Sequence, residues 1–559
     1  MVTPTPTTAT DPIAPTDPNT NKDDLPSQTL HGLKLATLLG SITLVTFLAL
    51  IDTSILGTAI PAITTDFHSL PDVGWYIGAY QLTSAILQPL SGKFYTLFPT
   101  KVVYLCFVFI FELGSLICGV APNSAALIAG RAIAGLGVSG LVNGALSILA
   151  RSVEREKSPL YTGILIGTAQ MGIVAGPLIG GALTQHASWR WCFYINLPTG
   201  GLAAIIFALS NIPDDPKKEA FSMALVRKVI PQLDLFGFLL FIPAAVMILL
   251  ALQFGSGNTF AWDSATIIGL LVGGVVMALI FIAWEWHMGD LAMLPGNLIK
   301  QRIVWTSACF AMGNMVCVIV ASNFLPTYFQ AVRGDSPTMS GVHVLPSILS
   351  QLLCVVTSGA LMTRWGYYLP WAFASAVVMT VGNGLISTFT PTTAVARWIG
   401  YQILLGGGRG LGLQTPLIAI QNAVQPSQVP VGMAFLIFLQ NLGATVGAVI
   451  ANTILAQTLT NKIPQYAPSV APQAALEAGS DPAAIRHLVD GHENELNGVL
   501  LAYTEGLRNI FYLLVGMSAI SFFMSFGMGW VDVRRKKDVT AQEDGEVHSG
   551  KVEVEKNGV

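Results

Sequence analysis

Charge is the scarcest feature of this 559-residue sequence. Charged residues make up 11% of the chain, whereas hydrophobic residues make up 52%. Soluble domains carry about 25% charged residues, so this composition argues against a soluble protein. The chain also lacks the basic excess typical of nucleic-acid binders, because its 28 Lys and Arg residues are balanced by 31 Asp and Glu residues.

Cysteine and histidine are too few and too scattered for a metal site or a disulfide scaffold. The six cysteines stand singly in or beside apolar segments, without the paired spacing of metal ligands. The eight histidines lie in tails, loops or the ends of apolar runs, and no two are four residues apart. We therefore expect no metal and no cofactor, and a membrane-embedded enzyme is a weak alternative.

Long apolar runs are what the sequence has instead. From Leu35 onward they recur with lengths of about 20 residues, enough for a helix to cross roughly 30 Å of hydrocarbon. The sequence predicts an all-α integral membrane protein with fourteen transmembrane helices. The expected spans are 35–60, 72–92, 102–121, 125–148, 160–184, 194–212, 235–254, 265–286, 303–329, 340–363, 369–390, 396–421, 430–457 and 507–531.

An internal repeat divides these spans. At an offset of 271 residues, Gly135 matches Gly406 and Gly172 matches Gly443. Parallel repeats of this kind are a transporter architecture, with the substrate site near the midplane. The expected parts are a disordered cytoplasmic tail (1–34), an N-terminal six-helix half (35–212), a cytoplasmic loop (213–234), inserted helices 7 and 8 (235–286), a C-terminal six-helix half (303–531) with an extracellular loop (458–506), and a cytoplasmic tail (532–559).

The distribution of basic residues predicts the orientation. Most Lys and Arg residues fall in one set of alternate connections, and such residues concentrate on the cytoplasmic side of membranes. Both termini are therefore expected in the cytoplasm. The plasma membrane is the expected location, with the vacuolar membrane as the alternative.

Three ionisable residues lie at similar depth inside predicted spans of the first half. Asp52, Glu112 and Arg131 are each roughly 10–14 Å from the outer boundary at 1.5 Å per residue. Charges at such depth are costly and are commonly functional. Two acids and one base leave one acid unpaired, which favours proton coupling; the alternative is a static ion pair that fixes helix packing.

Helix 5 is rich in glycine. Gly172, Gly176, Pro177, Gly180 and Gly181 fall within one apolar run, and small residues at fourth positions allow a neighbouring backbone to approach closely. We predict a bare helix face with a kink at Pro177. Tight packing alone is the simpler interpretation.

Two short basic turns are candidate gates. Gly92, Lys93 and Lys101 belong to the turn after helix 2, and Arg364 belongs to its counterpart in the second half. A basic side chain beside a helix end could hold two helices together in one conformation and release them in the other. Positive-inside topology explains most of the same pattern.

Polar and aromatic residues within the spans are candidate liners of a substrate cavity: Tyr80, Gln81, Asn323, Arg409 and Gln414. Asn323 matches Asp52 at the repeat offset, which predicts a coupling half and a binding half. For Arg409, placed in the inner half of helix 12, two interpretations are open. It contacts substrate or a carboxylate, or it extends to the cytoplasmic interface.

Four segments resemble the major facilitator superfamily, and within it the fourteen-helix drug:proton antiporter branch of fungi. Residues 172–181 (GIVAGPLIGG) resemble the antiporter signature of helix 5, and residues 50–61 (LIDTSILGTAIP) resemble the helix-1 signature of the branch. Residues 131–137 (RAIAGLG) resemble the helix-4 motif whose arginine is linked to proton coupling. Residues 188–198 (SWRWCFYINLP) resemble a segment of fungal toxin and drug pumps.

The resemblance implies proton-coupled efflux of drugs, toxins or fungal secondary metabolites by alternating access. The expected partners are a small-molecule substrate, protons and the lipid bilayer, with no nucleic acid and a monomeric chain. Proton-coupled uptake, of a siderophore or a basic amino acid, is the alternative within transport. A non-transporting sensor on the same scaffold is a further alternative.

Overall fold

The computed structural model describes residues 30–67, 72–214, 218–219, 221–256, 260–480, 482–490 and 492–534. Helices dominate this part of the chain, and no named strand occurs in it, as the sequence predicts. The long helices are α1 Gly32–Phe67, α2 Val73–Leu97, α3 Thr100–Val120, α4 Ser124–Ser152, α5 Ser158–His186, α6 Trp191–Leu209, α7 Leu235–Ser256, α8 Ala265–Met288, α9 Arg302–Thr327, α10 Pro337–Trp365, α11 Leu369–Ile386, α12 Val395–Ala423, α13 Val429–Tyr466 and α14 Leu496–Ser525.

Among the described residues, thirteen helices are long and apolar enough to cross a membrane. Helices are stable in the hydrocarbon core of a membrane because their backbone N–H and C=O groups form hydrogen bonds within the same helix. Helix α2 is not among the thirteen, and polar residues such as Thr83, Gln88 and Lys93 interrupt its 25-residue sequence. The count of fourteen spans therefore stays a prediction, with α2 as its remaining member.

The helices pack as two groups with an added pair. In the first group, α5 lies against α1, and α4 lies against both α2 and α3. In the second group, α12 lies against α10 and α11, and α13 lies against α9 and α14. Helices α7 and α8 pack on each other, and α7 also touches α2 and α13. We call α1–α6 the first half and α9–α14 the second half.

The long connection before α14 differs from the prediction. Residues 458–506 were expected as one loop, but α13 continues to Tyr466 and α14 already begins at Leu496. Glu505 explains the extensions, because it pairs with Lys462 at 3.2 Å and accepts a hydrogen bond from Tyr466 at 3.2 Å. Hydropathy does not detect helix ends that are held by polar pairs. The expected start of α14 at 507 was therefore wrong.

The expected N-terminal tail is shorter than predicted. Helix α1 begins at Gly32 and includes Lys34, so residues 32–34 are helical and do not belong to a tail. The hydropathy boundary at 35 reflects the polar character of this first turn. Residues 1–29 and 535–559 lie outside the described residues, and so do the predictions made for them.

The two halves meet at one end of the bundle. We call this end the basic face; it contains the start of α1, the α2–α3 and α4–α5 connections, and Arg151. Hydrogen bonds join the halves there: Thr96 Oγ1 donates to Ser427 O at 3.3 Å, and Ser158 Oγ donates to Gln421 Oε1 at 3.1 Å. Arg151 Nη2 also donates to a second-half carbonyl, that of Pro426 (3.4 Å). The halves are therefore closed at the basic face.

Candidate functional site

A buried ion pair joins α1 and α4. Arg131 Nη1 lies 2.5 Å from Asp52 Oδ2, and the two side chains are 1% and 0% exposed. The sequence placed both residues at similar depth, and the structure brings them into direct contact. An ion pair removed this completely from water depends on good geometry and further hydrogen bonds to offset desolvation.

Tyrosines of α2 support the arginine. Arg131 Nε donates to the carbonyl of Tyr76 at 2.9 Å. The guanidinium lies over the Tyr80 ring, 4.2 Å from its centroid, in a cation–π arrangement. The Tyr80 hydroxyl in turn donates to Ala49 O on α1 at 3.3 Å. Tyr80 is thus part of the structure that holds α1, α2 and α4 around the pair, and its role as a cavity liner stays a prediction.

Asn196 of α6 completes the coordination of Asp52. Its Nδ2 donates to Asp52 Oδ1 at 3.3 Å and to Ser115 Oγ at 3.1 Å, and the side chain is fully buried. Each oxygen of Asp52 therefore has its own donor. Sequence reasoning did not single out this residue, although it lies in the segment 188–198. A polar side chain just inside the start of the predicted span 194–212 was the available signal.

Glu112 stands apart from the ion pair. Both of its carboxylate oxygens are buried and have no hydrogen-bond partner among the described residues. The side chain lies against Gly200 of α6, where an added Cβ would clash with Oε1. Glu112 is thus the acid that the count of two acids and one base leaves unpaired, on α3 and facing α6.

The glycines of the antiporter signature pack α5 onto α1. A Cβ on Gly172 would lie 2.7 Å from Phe47 O, and one on Gly176 would lie 2.9 Å from Ile55 N. Gly180 faces the same helix, since its added Cβ would lie 2.8 Å from Ile55 O. These glycines are needed because the α1 backbone occupies the space of a side chain. Gly181 does not belong to this face, because open space surrounds it.

The basic-face end of α5 uses a different face. A Cβ on Gly163 would lie 2.8 Å from Val355 O on α10, and one on Gly167 would lie 3.1 Å from Leu352. From α10, an added Cβ on Gly359 would lie 2.6 Å from the Pro159 carbonyl oxygen of α5. Positions 163 and 167 point away from 172, 176 and 180 at 100° per residue. The prediction of one bare face was therefore wrong, because α5 has two, one for each half. Pro177 lies within the continuous helix, and the predicted kink stays a prediction.

The predicted gating residues have different partners. Gly92 lies against the α13 backbone at Val431, so it is part of the contact between the halves. Lys93 Nζ donates to Gln232 O (3.3 Å) and Leu291 O (3.1 Å), which flank the inserted pair. Lys93 therefore ties α7 and α8 to the first half.

Two further residues of the basic turns also do not bridge the halves. Lys101 Nζ donates to Ser210 O, the carbonyl just after α6, at 3.0 Å. Arg364 is exposed at the end of α10, and its carbonyl accepts from Arg534 at 3.2 Å. The contacts of both residues stay within their own half.

The remaining cavity candidates fall into two environments. Gln81 and Asn323 are exposed on their helices. Gln414 is fully buried at the junction of the halves, where its Nε2 donates to Val355 O and to Ser358 Oγ, both at 3.0 Å. Asn323 and Asp52 are related by the repeat but not by environment, because Asp52 is buried.

Arg409 is a second buried cation, and it differs from Arg131. It is the central residue of the 29-residue span α12, about 21 Å from each end. Its side chain is 2% exposed, which excludes the interpretation that it extends to the interface. Its Nε and Nη2 atoms have no hydrogen-bond partner among the described residues.

Comparison with known proteins agrees with this fold. Residues 42–448 match the Major Facilitator Superfamily. The chain belongs to this superfamily and is a multi-pass membrane transporter of the major facilitator fold. It is 52% identical to the MFS-type transporter calB of Penicillium decumbens over 94% of this chain and 93% of that protein.

Two further comparisons are informative. The chain is 39% identical to the rubrofusarin-specific efflux pump aurT of Gibberella zeae, over 91% of this chain and 92% of that protein. The crystal structure of the human organic anion transporter MFSD10 superimposes with a TM-score of 0.56 at 12% identity, covering 89% of this chain and all of that one. The second likeness concerns the fold alone.

Proposed function

We propose that the chain exports small amphipathic organic compounds, such as drugs, toxins or fungal secondary metabolites, in exchange for protons. The buried Asp52–Arg131 pair supports proton coupling, because Asp52 is an ionisable group inside a predicted membrane span. A proton that binds its carboxylate removes the negative charge that Arg131 faces. The relationship to an efflux pump supports the direction of transport. The expectation that the chain is a transporter and not an enzyme belongs to the same proposal.

The coupling step begins at the carboxylate of Asp52. Binding a proton there neutralises the acid, and the attraction that holds Arg131 at 2.5 Å is lost. Arg131 then keeps only its bond to the Tyr76 carbonyl and its contact with Tyr80. A conformation with the Asp52–Arg131 pair intact and one with the pair broken therefore differ in their affinity for a proton. That difference in affinity limits how far proton binding can shift the equilibrium between the two conformations. Sustained export draws on the proton gradient.

Helix α5 connects this event to the second half. One of its glycine faces packs on α1, the helix of Asp52, and the other packs on α10. A shift of α1 relative to α4 therefore reaches the junction of the halves through one continuous helix. Glu112 is proposed to bind a proton as well, because its carboxylate has no hydrogen-bond partner among the described residues and lies against Gly200 of α6, one turn after Asn196.

The orientation follows from the basic face. We propose that this face is cytoplasmic, that both termini lie there, and that the monomeric chain resides in the plasma membrane, with the vacuole as the alternative. The structure is then a state closed to the cytoplasm.

Vesicles with an imposed pH gradient test the proposal. We expect rhodamine 123 or 7-methoxycoumarin-3-carboxylate to move against protons in inside-out vesicles, and faster with the gradient than without it. Equal rates with and without the gradient contradict proton coupling. Movement of the compounds in the same direction as the protons supports the uptake alternative, and no flux of any compound in purified proteoliposomes supports the sensor.

A further inference from the structure

The second half contains an unpaired cation at the centre of the membrane span. Arg131 has Asp52 as its counterion, but no described acidic residue forms an ion pair with Arg409. A buried guanidinium that has no anion, and whose Nε and Nη2 atoms have no hydrogen-bond partner, is strongly destabilising. The described residues therefore include the cation Arg409 but no anion that pairs with it, and a bound molecule could supply that anion.

Helix α9 places a second unpaired polar group nearby. Asn314 is 1% exposed, and neither its Nδ2 nor its Oδ1 has a hydrogen-bond partner among the described residues. Gly412, one turn after Arg409 on α12, lies against this amide, since an added Cβ would be 2.8 Å from Asn314 Nδ2. Unused donors of α9 and α12 thus face one region.

This region adjoins the closure between the halves. Leu413 packs with Val318 and Val355 in an apolar cluster that also includes Ile166 of the first half. Arg409 lies four residues before Leu413, about 6 Å further from the basic face. Arg409 is therefore one helical turn from the apolar residues that close the halves, on the side away from the basic face.

We propose that Arg409 and Asn314 form a subsite for the carboxylate of an amphipathic organic substrate. This inference rests on the proposed function and specifies its substrate class. A guanidinium presents paired N–H donors that match the two oxygens of a carboxylate, and the Asn314 amide provides a further donor. The first half cannot supply this contact in the same way, because Asp52 already neutralises Arg131.

Equilibrium binding to the purified full-length chain, without a membrane gradient, tests the proposal. The probes are 7-methoxycoumarin-3-carboxylate and its neutral carboxamide, followed by fluorescence anisotropy. We expect the wild type to bind the acid at least about tenfold more tightly than the amide. Arg409→Gln should reduce this preference to below about twofold, Arg409→Lys should keep part of it, and Asn314→Ala should weaken acid binding severalfold.

The matched control is Arg397→Gln, which removes an exposed arginine from the same helix and should leave the preference unchanged. In the wild type, benzoate should displace the bound acid, whereas benzyl alcohol and equimolar chloride should not. An absent preference in the wild type, or one that Arg409→Gln retains, overturns the subsite, and displacement by chloride shows a general anion site instead. Because no gradient is present, these results are independent of proton coupling and of transport direction.

Discussion

Replacing Asp52 with asparagine separates proton coupling from folding. At 2.5 Å and an effective dielectric constant of about 20, the gross attraction between Asp52 and Arg131 is about 7 kcal/mol. Most of this is offset by desolvation, and breaking a buried pair typically costs about 3–5 kcal/mol. Asparagine keeps an oxygen that can accept from Arg131, so we expect a loss of about 3 kcal/mol, within the stability of a folded protein.

The functional effect should be much larger than the loss of stability. One pH unit is worth about 1.4 kcal/mol per proton, which allows up to about tenfold accumulation of substrate per unit and per proton exchanged. Wild-type vesicles should approach that ratio with an imposed gradient, whereas the Asp52→Asn variant should accumulate nothing beyond equilibrium. Purified protein that elutes as the wild type does in size-exclusion chromatography would show that folding is intact.

Asp66→Asn is the matched control. Asp66 lies on the same helix, about 21 Å further along, and its exposed carboxylate pairs with Arg190 at 3.1 Å. This variant should keep gradient-driven accumulation. The coupling argument is refuted if Asp52→Asn responds to the gradient as the wild type does, or if both variants lose the response equally.

Three further predictions concern other parts of the molecule. Asn196→Leu removes a donor from Asp52, and proton-driven efflux should fall about tenfold or more and show a changed pH profile, whereas a profile identical to that of the wild type contradicts its positioning role. Gly163→Leu should prevent α5 from approaching α10, and spin-label distances across the basic face should lengthen; Gly181→Leu, in open space, should not change them. Burial opposes ionisation of Asp214, but Lys218 and other donors hold the pKa of Asp214 below its ordinary value. Asp214→Asn should therefore lower stability by about 1–2 kcal/mol after solvent screening. A carboxylate whose pKa is lowered by folding stabilises the folded state, and this stabilisation is lost as the pH falls through the lowered pKa. The difference in stability between the wild type and Asp214→Asn should therefore be constant from pH 8 to pH 5 and should shrink below about pH 4. A difference that disappears by pH 6 contradicts this assignment.

The sequence by itself determined the fold class and the approximate positions of thirteen candidate membrane spans. Hydrophobicity along the chain is a one-dimensional property, and a lipid solvent imposes it on every spanning helix. The same property placed Asp52, Glu112 and Arg131 at one depth. The glycines at 172–181 identified α5 as the glycine-rich helix. The same segment resembles a signature of the major facilitator superfamily, and the match to that superfamily agrees with this resemblance.

Only the tertiary structure decided which of these residues meet. Depth does not specify how a helix is rotated about its axis, and rotation decides that Asp52, not Glu112, pairs with Arg131. Rotation also divides the α5 glycines between two helices and directs Lys93 to the inserted pair. The role of Asn196 depends on α6 returning beside α1. These contacts arise from packing between segments far apart in the chain, which local hydrophobicity does not encode.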